Sequence, residues 1–274
     1  HASAILNLSG NYKQSVLIDR DEVAIRHLRN VFKGRGISLR HQDFVSASKE
    51  LLLKKRAFDI IIADLGVSSP HLNEVSRGFS FAKAAPLDMR MDQRQEVTAG
   101  DIVNHTSEKQ LAEILRRYGE EPRYRQIARL IVSNRPIIST TELSGLVSRA
   151  WAGHSRIHPA TRTFMAIRIA VNDELTQLSQ ALPIWLKLLA PGGRIAIISF
   201  HSLEDRIAKQ FLASESGNRY DAALTLLTKH PVAPGPHEIA NNPRSRSAKL
   251  RVAVKQKRKG TADANSGKKQ LPGI

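Results

Sequence analysis

The densest run of reactive side chains is Asp64-Leu65-Gly66-Val67-Ser68-Ser69-Pro70-His71. It joins a carboxylate, a flexible glycine, two hydroxyls and an imidazole. An amino group on a nucleobase offers only N–H donors, so a site that holds one needs acceptors. Such an amine is also a poor nucleophile, because its lone pair is delocalised into the ring. Acceptors on its N–H bonds localise that pair and aim it. Asp64, Ser68 and Ser69 are the candidates for this work. The plainer alternative is a tight turn capped by Ser68 or Ser69, which explains one serine and the glycine but not the whole run.

A second group is Ser199-Phe200-His201-Ser202-Leu203-Glu204-Asp205-Arg206. An imidazole and two carboxylates beside hydroxyls could move a proton or orient a substrate. The same letters also spell a helix start with acids in its first turn. Ser202 and Asp205 therefore read mainly as capping residues, and His201 and Ser199 remain site candidates. In Asp19-Arg20-Asp21, one acid could accept from the ribose hydroxyls of a nucleotide-like cofactor while the other caps a helix. Phe44 could cover an adenine face or belong to the core. Two basic loops, 158–164 and 242–249, offer Arg162, Arg244, Arg246 and Lys249 to phosphates. A solvated basic loop is the alternative, and for Arg246 alone the preferred one. His41, His71, His158 and His201 lack metal-site spacing and no HExxH occurs, so no required metal is expected.

These groups need elements to position them. Apolar runs at 15–18, 37–41, 58–63 and 194–200 read as strands, with helical periodicity between them. The run at 58–63 is nearly continuous, as in a strand buried on both faces of a parallel sheet. Strands alternating with helices give a doubly wound α/β sheet, in which ligands sit at the carboxyl ends of strands. A helix is expected over 166–182 and a late edge strand over 250–254. Between 81 and 164 no strand pattern occurs, and helices are expected over 107–118, 121–133 and 141–150.

Composition bounds the partners. At 274 residues, 41% hydrophobic and 24% charged, the chain is not disordered, collagenous or a coiled coil. No apolar run approaches the roughly 20 residues of a membrane span. Cysteine is absent, which excludes thiol chemistry and fits a reducing compartment. The net charge is +17, and residues 241–274 hold ten basic residues against one acid. A polyanion such as nucleic acid is the simplest partner for that excess, with a solubilising tail as the alternative. Residues 261–274 read as disordered.

Together, Asp19-Arg20-Asp21, the 64–70 loop, Arg77-Gly78-Phe79-Ser80-Phe81, Pro86-Leu87-Asp88-Met89-Arg90-Met91-Asp92, Tyr118-Gly119-Glu120-Glu121, the 158–164 loop, the 199–206 loop and the 242–251 segment resemble one family. It is the MraW or RsmH family of S-adenosylmethionine-dependent ribosomal RNA N4-cytosine methyltransferases. The resemblance implies a class I, Rossmann-like methyltransferase fold with an inserted all-helical domain. The implied division is 1–80 and 165–255 for the core, 81–164 for a substrate-recognition insert, and 256–274 for a basic tail. It implies methylation of a cytidine in the decoding region of small-subunit ribosomal RNA, presented as RNA or as the small subunit, in the cytoplasm. Cofactor contacts would fall on His1, Asp19, Phe44, Asp64 and His71.

The sequence departs from the family pattern in places. His71 stands where the family usually has Gln, and so does Met165. The family's glycine-rich loop and the strand before it precede the residue matching His1. The chain is therefore expected to fold poorly or bind cofactor weakly unless that segment exists in the native protein; equal melting temperatures and ligand shifts for an extended chain would refute this. A dinucleotide-dependent oxidoreductase and a non-catalytic RNA-binding protein remain the alternatives.

Overall fold

Short runs of Val, Ile and Leu become strands, and acids or hydroxyls cap the helices that follow them. The computed structural model describes residues 1–151, 157–217 and 221–257. After helix α1 (Ala2–Ser9), β1 (Val16–Asp19) leads into α2 (Glu22–Val31) and β2 (Ser38–His41) into α3 (Phe44–Leu53). Asp21 and Asp43 cap these two helices, accepting from Val23 N–H and Ser46 N–H. β3 (Phe58–Asp64) is followed by the short α4 (Ser69–Asn73). Five helices come next: α5 (Ala99–His105), α6 (Glu108–Gly119), α7 (Tyr124–Ser133), α8 (Thr140–Arg149) and α9 (Ala160–Asn172). The chain then forms α10 (Glu174–Leu188), β4 (Leu189–Ser199), α11 (Ser202–Ser214), β5 (Leu224–Leu226), α12 (Pro236–Asn241) and β6 (Lys249–Lys255).

β1 and β2 pair in parallel, and so do β3 and β4. β6 lies between β4 and β5, antiparallel to both. The expected edge strand at 250–254 is thus an interior strand, because β5 adds outside it. The run at 58–63 is not buried on both faces: Ile60 is 48% and Ile62 36% exposed. Among the described residues β3 and β1 each lack a partner on one edge, so the sheet is in two pieces. α3 joins the pieces by packing on α10. Trp185 Nε1 donates to Ser48 Oγ at 2.9 Å, and the Phe44 and Trp185 rings lie 5.5 Å apart.

The single helix expected over 166–182 is two. The break falls at Asp173, which is left-handed at φ 50°. The neighbouring Asn172 side chain bridges to another segment, accepting from Met91 N–H and donating to the Met89 carbonyl, each at 2.8 Å. α10 then runs through Pro183.

Apolar side chains gather in two clusters. One lies around the larger sheet, with Val45, Leu178, Leu182, Ile195 and Ile197 among its members. The other is helical, built on Leu111, Leu115, Ile127, Ile131, Leu143 and Ile167. The helical cluster runs from Phe79 to Val171, past both ends of the 81–164 span. Burial of such side chains contributes about 1.5–3 kcal/mol each, and the strong apolar stripes of α6 and α7 supply it here.

Candidate functional site

The ends of β3 and β4 lie side by side, with Asp64 opposite Ile198. Leu65 N–H donates to the Ile198 carbonyl at 3.0 Å. The loops that leave these strands therefore share one edge of the sheet. Gly66 turns the first loop at φ 84°, and a Cβ on it would come 3.4 Å from the Phe200 ring of the second. Asp64 holds a half-exposed carboxylate at this junction, 2.9 Å from His1 Nδ1. Burial raises the Asp64 carboxyl above its ordinary range, and Glu204 adds to the shift.

Ser68 caps α4 in a reciprocal box with His71. Both Ser68 N–H, at 3.2 Å, and Ser68 Oγ, at 3.1 Å, meet His71 Nδ1. The other ring nitrogen, Nε2, lies 2.9 Å from Asp21 Oδ2. Arg77 Nη1 sits 3.5 Å from the second Asp21 oxygen and donates through Nη2 to the Arg90 and Met91 carbonyls. All three side chains are buried, and the His71 ring stacks on Phe79 at 4.9 Å. Burial holds the His71 imidazole below its usual pKa, against the pull of Asp21. His71, a cofactor contact by the resemblance, has one ring nitrogen on Ser68 and the other beside Asp21.

Asp19 connects to the same cluster. Its Oδ1 accepts Asp21 N–H at 2.8 Å. Burial raises the Asp19 carboxyl, with the Asp21 N–H opposing and the Asp21 charge assisting. A continuous series therefore runs from Asp19 through Asp21, His71 and Ser68 to the loop that carries Asp64. Ser69 is exposed beside it. Phe44 begins α3, half-buried against Trp185.

The 199–206 loop is more structural than its letters suggest. The cap of α11 is His201, not Ser202: His201 Nδ1 accepts Glu204 N–H. His201 Nε2 lies 3.2 Å from Glu204 Oε1, so both nitrogens face its own helix. Ser202 Oγ instead donates to Glu120. Asp205 does not cap either; it accepts from Arg251 Nε at 2.7 Å and Lys249 Nζ at 3.3 Å. Ser199 is buried, its hydroxyl directed at the Lys249 carbonyl. Glu174, His201 and Glu204 come close enough to suggest a metal cluster. Arg168 grips Glu174 through two hydrogen bonds, at 2.8 and 3.0 Å, and its positive charge also acts on Glu204.

The basic residues spread round this edge. Arg244 donates to Asn73 at 2.6 Å, which pins the 242–249 segment against the end of α4. Arg246 is exposed. Arg162, on α9, donates to the Glu120 carbonyl at 3.1 Å. Lys249 shares Asp205 with Arg251. Sequence reasoning missed the Asp21–Arg77 pair, the Arg168–Glu174 pair and the reach of Glu120. Asp21 and Arg77 are 56 positions apart and Glu120 reaches 82 and 86 positions away, so no local spacing announces them; Arg168 and Glu174 are only six apart, across the turn at Asp173.

Residues 1–256 match the MraW methylase family. A relative from a Cyanothece species, named ribosomal RNA small subunit methyltransferase H, is 47% identical over 259 residues, covering 92% of this chain and 83% of its own. Relatives of the same name from a Nostoc species and from Synechococcus elongatus are 53% and 50% identical. The first covers 76% of this chain and 68% of its own, the second 88% and 79%. With its paired parallel strand ends, its acids at their carboxyl termini and its match over nearly the whole length, this chain belongs to the MraW methylase family.

Proposed function

We propose that the chain methylates the exocyclic N4 of a cytidine in the decoding region of small-subunit ribosomal RNA. The observation that carries this reading is the shared strand-end edge, where the partly exposed Asp64 carboxylate and the exposed Ser69 hydroxyl stand next to the Phe200 loop.

S-adenosylmethionine, the methyl donor of this family, supplies an electrophilic methyl group on a sulfonium when bound. The donor set fits it. Asp19 has one oxygen on the Asp21 N–H, and its second oxygen suits a ribose hydroxyl. Phe44 offers a ring at the next strand end, and a carboxylate edge attracts a cation. His1, Asp19, Phe44 and Asp64 would hold the donor, and His71 would act at one remove by fixing the loop.

Asp64 and Ser69 accept from the amine of the base, orienting its lone pair. Ser68 and His201 keep these loops in place through their caps. Because the thioether leaves neutral, alignment matters more than acid catalysis. The base must stand outside its stack to reach this edge. Arg162, Arg244, Arg246 and Lys249 bind phosphates around it. The helices between 81 and 164 act as the recognition insert, on a core of 1–80 and 165–255. No helix among the described residues is long and apolar enough to cross a membrane. The rRNA substrate proposed here sets the place of action as the cytoplasm.

Asp64→Ala tests the assignment. Methylation of small subunits that lack the modification should fall at least ~100-fold, while RNA affinity changes by less than about twofold. Retained turnover would overturn the site.

A further inference from the structure

Glu120 is a poor local choice of residue. It caps the C-terminus of α6 in the left-handed region, φ 46° and ψ 39°, where glycine or asparagine is favoured. It also puts a negative charge at the negative end of the helix dipole. A sequence that breaks two local rules at one position is serving something non-local.

The contacts identify what. The Glu120 carboxylate accepts from Ser202 Oγ at 3.0 Å and from Arg206 Nη2 at 2.7 Å, 82 and 86 residues away. Both donors lie in the first turns of α11, directly after the loop that follows β4. The Glu120 carbonyl accepts from Arg162 Nη1 of α9. These donors hold its carboxyl below the ordinary range, the Arg206 hydrogen bond most of all, then Ser202. The preceding Gly119 lets α6 and α9 approach, since a Cβ there would lie 2.8 Å from the Arg162 carbonyl. One residue thus ties the Arg162 surface to the strand-end edge.

We infer that Glu120 is a positioning residue, a clasp that sets the RNA-contacting surface around Arg162 against the methyl-transfer edge. The inference rests on the function proposed above and adds to it the part that aligns RNA with the site. The clasp touches neither cofactor nor base. Its loss should affect RNA use and not cofactor binding.

Glu120→Gly is the informative variant. Glycine removes the backbone strain and the unfavourable charge, so the melting temperature should stay level or rise. Methylation of unmodified small subunits should nevertheless drop about tenfold in kcat/KM, because misalignment is costly to transfer. S-adenosylmethionine affinity should stay within about twofold. The pair Glu120→Arg with Arg206→Glu should recover most of the loss, while either change alone should not. Wild-type kcat/KM in Glu120→Gly, or no recovery in the swapped pair, would overturn the clasp. If the unaltered chain methylates nothing, the functional reading fails, and the clasp is judged by affinity for unmodified small subunits: about tenfold weaker binding by Glu120→Gly supports it, and equal binding overturns it.

Discussion

Replacing Asp21 separates two jobs that one buried carboxylate performs. Asp21 is 3% exposed and faces Arg77, itself 2% exposed, while also accepting Val23 N–H at the start of α2. Asparagine caps helices about as well as aspartate, so Asp21→Asn keeps the cap and removes the charge. Arg77 then retains two carbonyl partners but no anion. Breaking a buried pair from one side costs about 3–5 kcal/mol, and the surviving carbonyls place this case near about 3 kcal/mol. Asp21→Ala loses the cap as well, a further ~1 kcal/mol. At roughly 2–4 °C per kcal/mol for a large domain, melting should fall by roughly 10 °C in the alanine variant. Urea unfolding followed by circular dichroism gives the free energies. The double change Asp21→Asn with Arg77→Met should recover most of the loss, since it removes the stranded charge. Stability within about 0.5 kcal/mol of the parent in Asp21→Asn, or no recovery in the double variant, would refute the reasoning. His71 would also lose its partner, which loosens the loop carrying Asp64.

Other predictions concern the frame around the site. Gly78 has φ 69°, and a Cβ on it would lie 2.3 Å from the Pro86 carbonyl oxygen and 2.9 Å from Asp88 N. Gly78→Ala should cost about 3 kcal/mol or more, read as a lowered urea midpoint; an unchanged midpoint would contradict the close approach. Burial pushes the Asp205 carboxyl up, but Arg251 and Lys249 outweigh it and leave the pKa lowered. Its stabilising contribution is therefore present above the unfolded carboxyl value near 4 and lost as pH falls through the lower folded value. Asp205→Asn should lose about 2 kcal/mol at pH 7, and the gap to the parent should close under acid; a gap independent of pH would count against the pairing. Loss of turnover without loss of RNA binding in Asp64→Ala completes the set.

Much of the fold was legible because local rules and the tertiary structure agree. Apolar runs gave β1 to β4 their places, and Asp21 capped the helix its position suggested. Helices α6 to α8 followed their apolar stripes. The failures have physical causes. Leu250 to Val254 reads as an edge strand, but β5, only three residues long, carries too little pattern to reveal itself as the outer neighbour. The turn at Asp173 depends on Asn172 reaching Met89 and Met91, 83 and 81 residues away. Within the site, the residue types at 64–71 and 199–206 were visible, but their division of labour was not. Ser199 and Asp205 turn inward through contacts with residues 50 and 46 positions away, which spacing cannot express, and His201 turns onto Glu204 of its own helix. Ser68 and His71 serve the loop, which leaves Asp64 and Ser69 facing outward. The tail expected to be disordered, 261–274, lies outside the described residues.

The central claim is that this strand-end edge delivers a methyl group to a cytosine amine. Its most direct test incubates the full chain with S-adenosylmethionine and unmodified small ribosomal subunits, then digests the RNA and identifies the modified nucleoside by mass spectrometry. The account predicts N4-methylcytidine, confined to decoding-region RNA and absent with Asp64→Ala. A methyl group on carbon 5 of cytosine, on a ribose oxygen or on no nucleoside at all would contradict it.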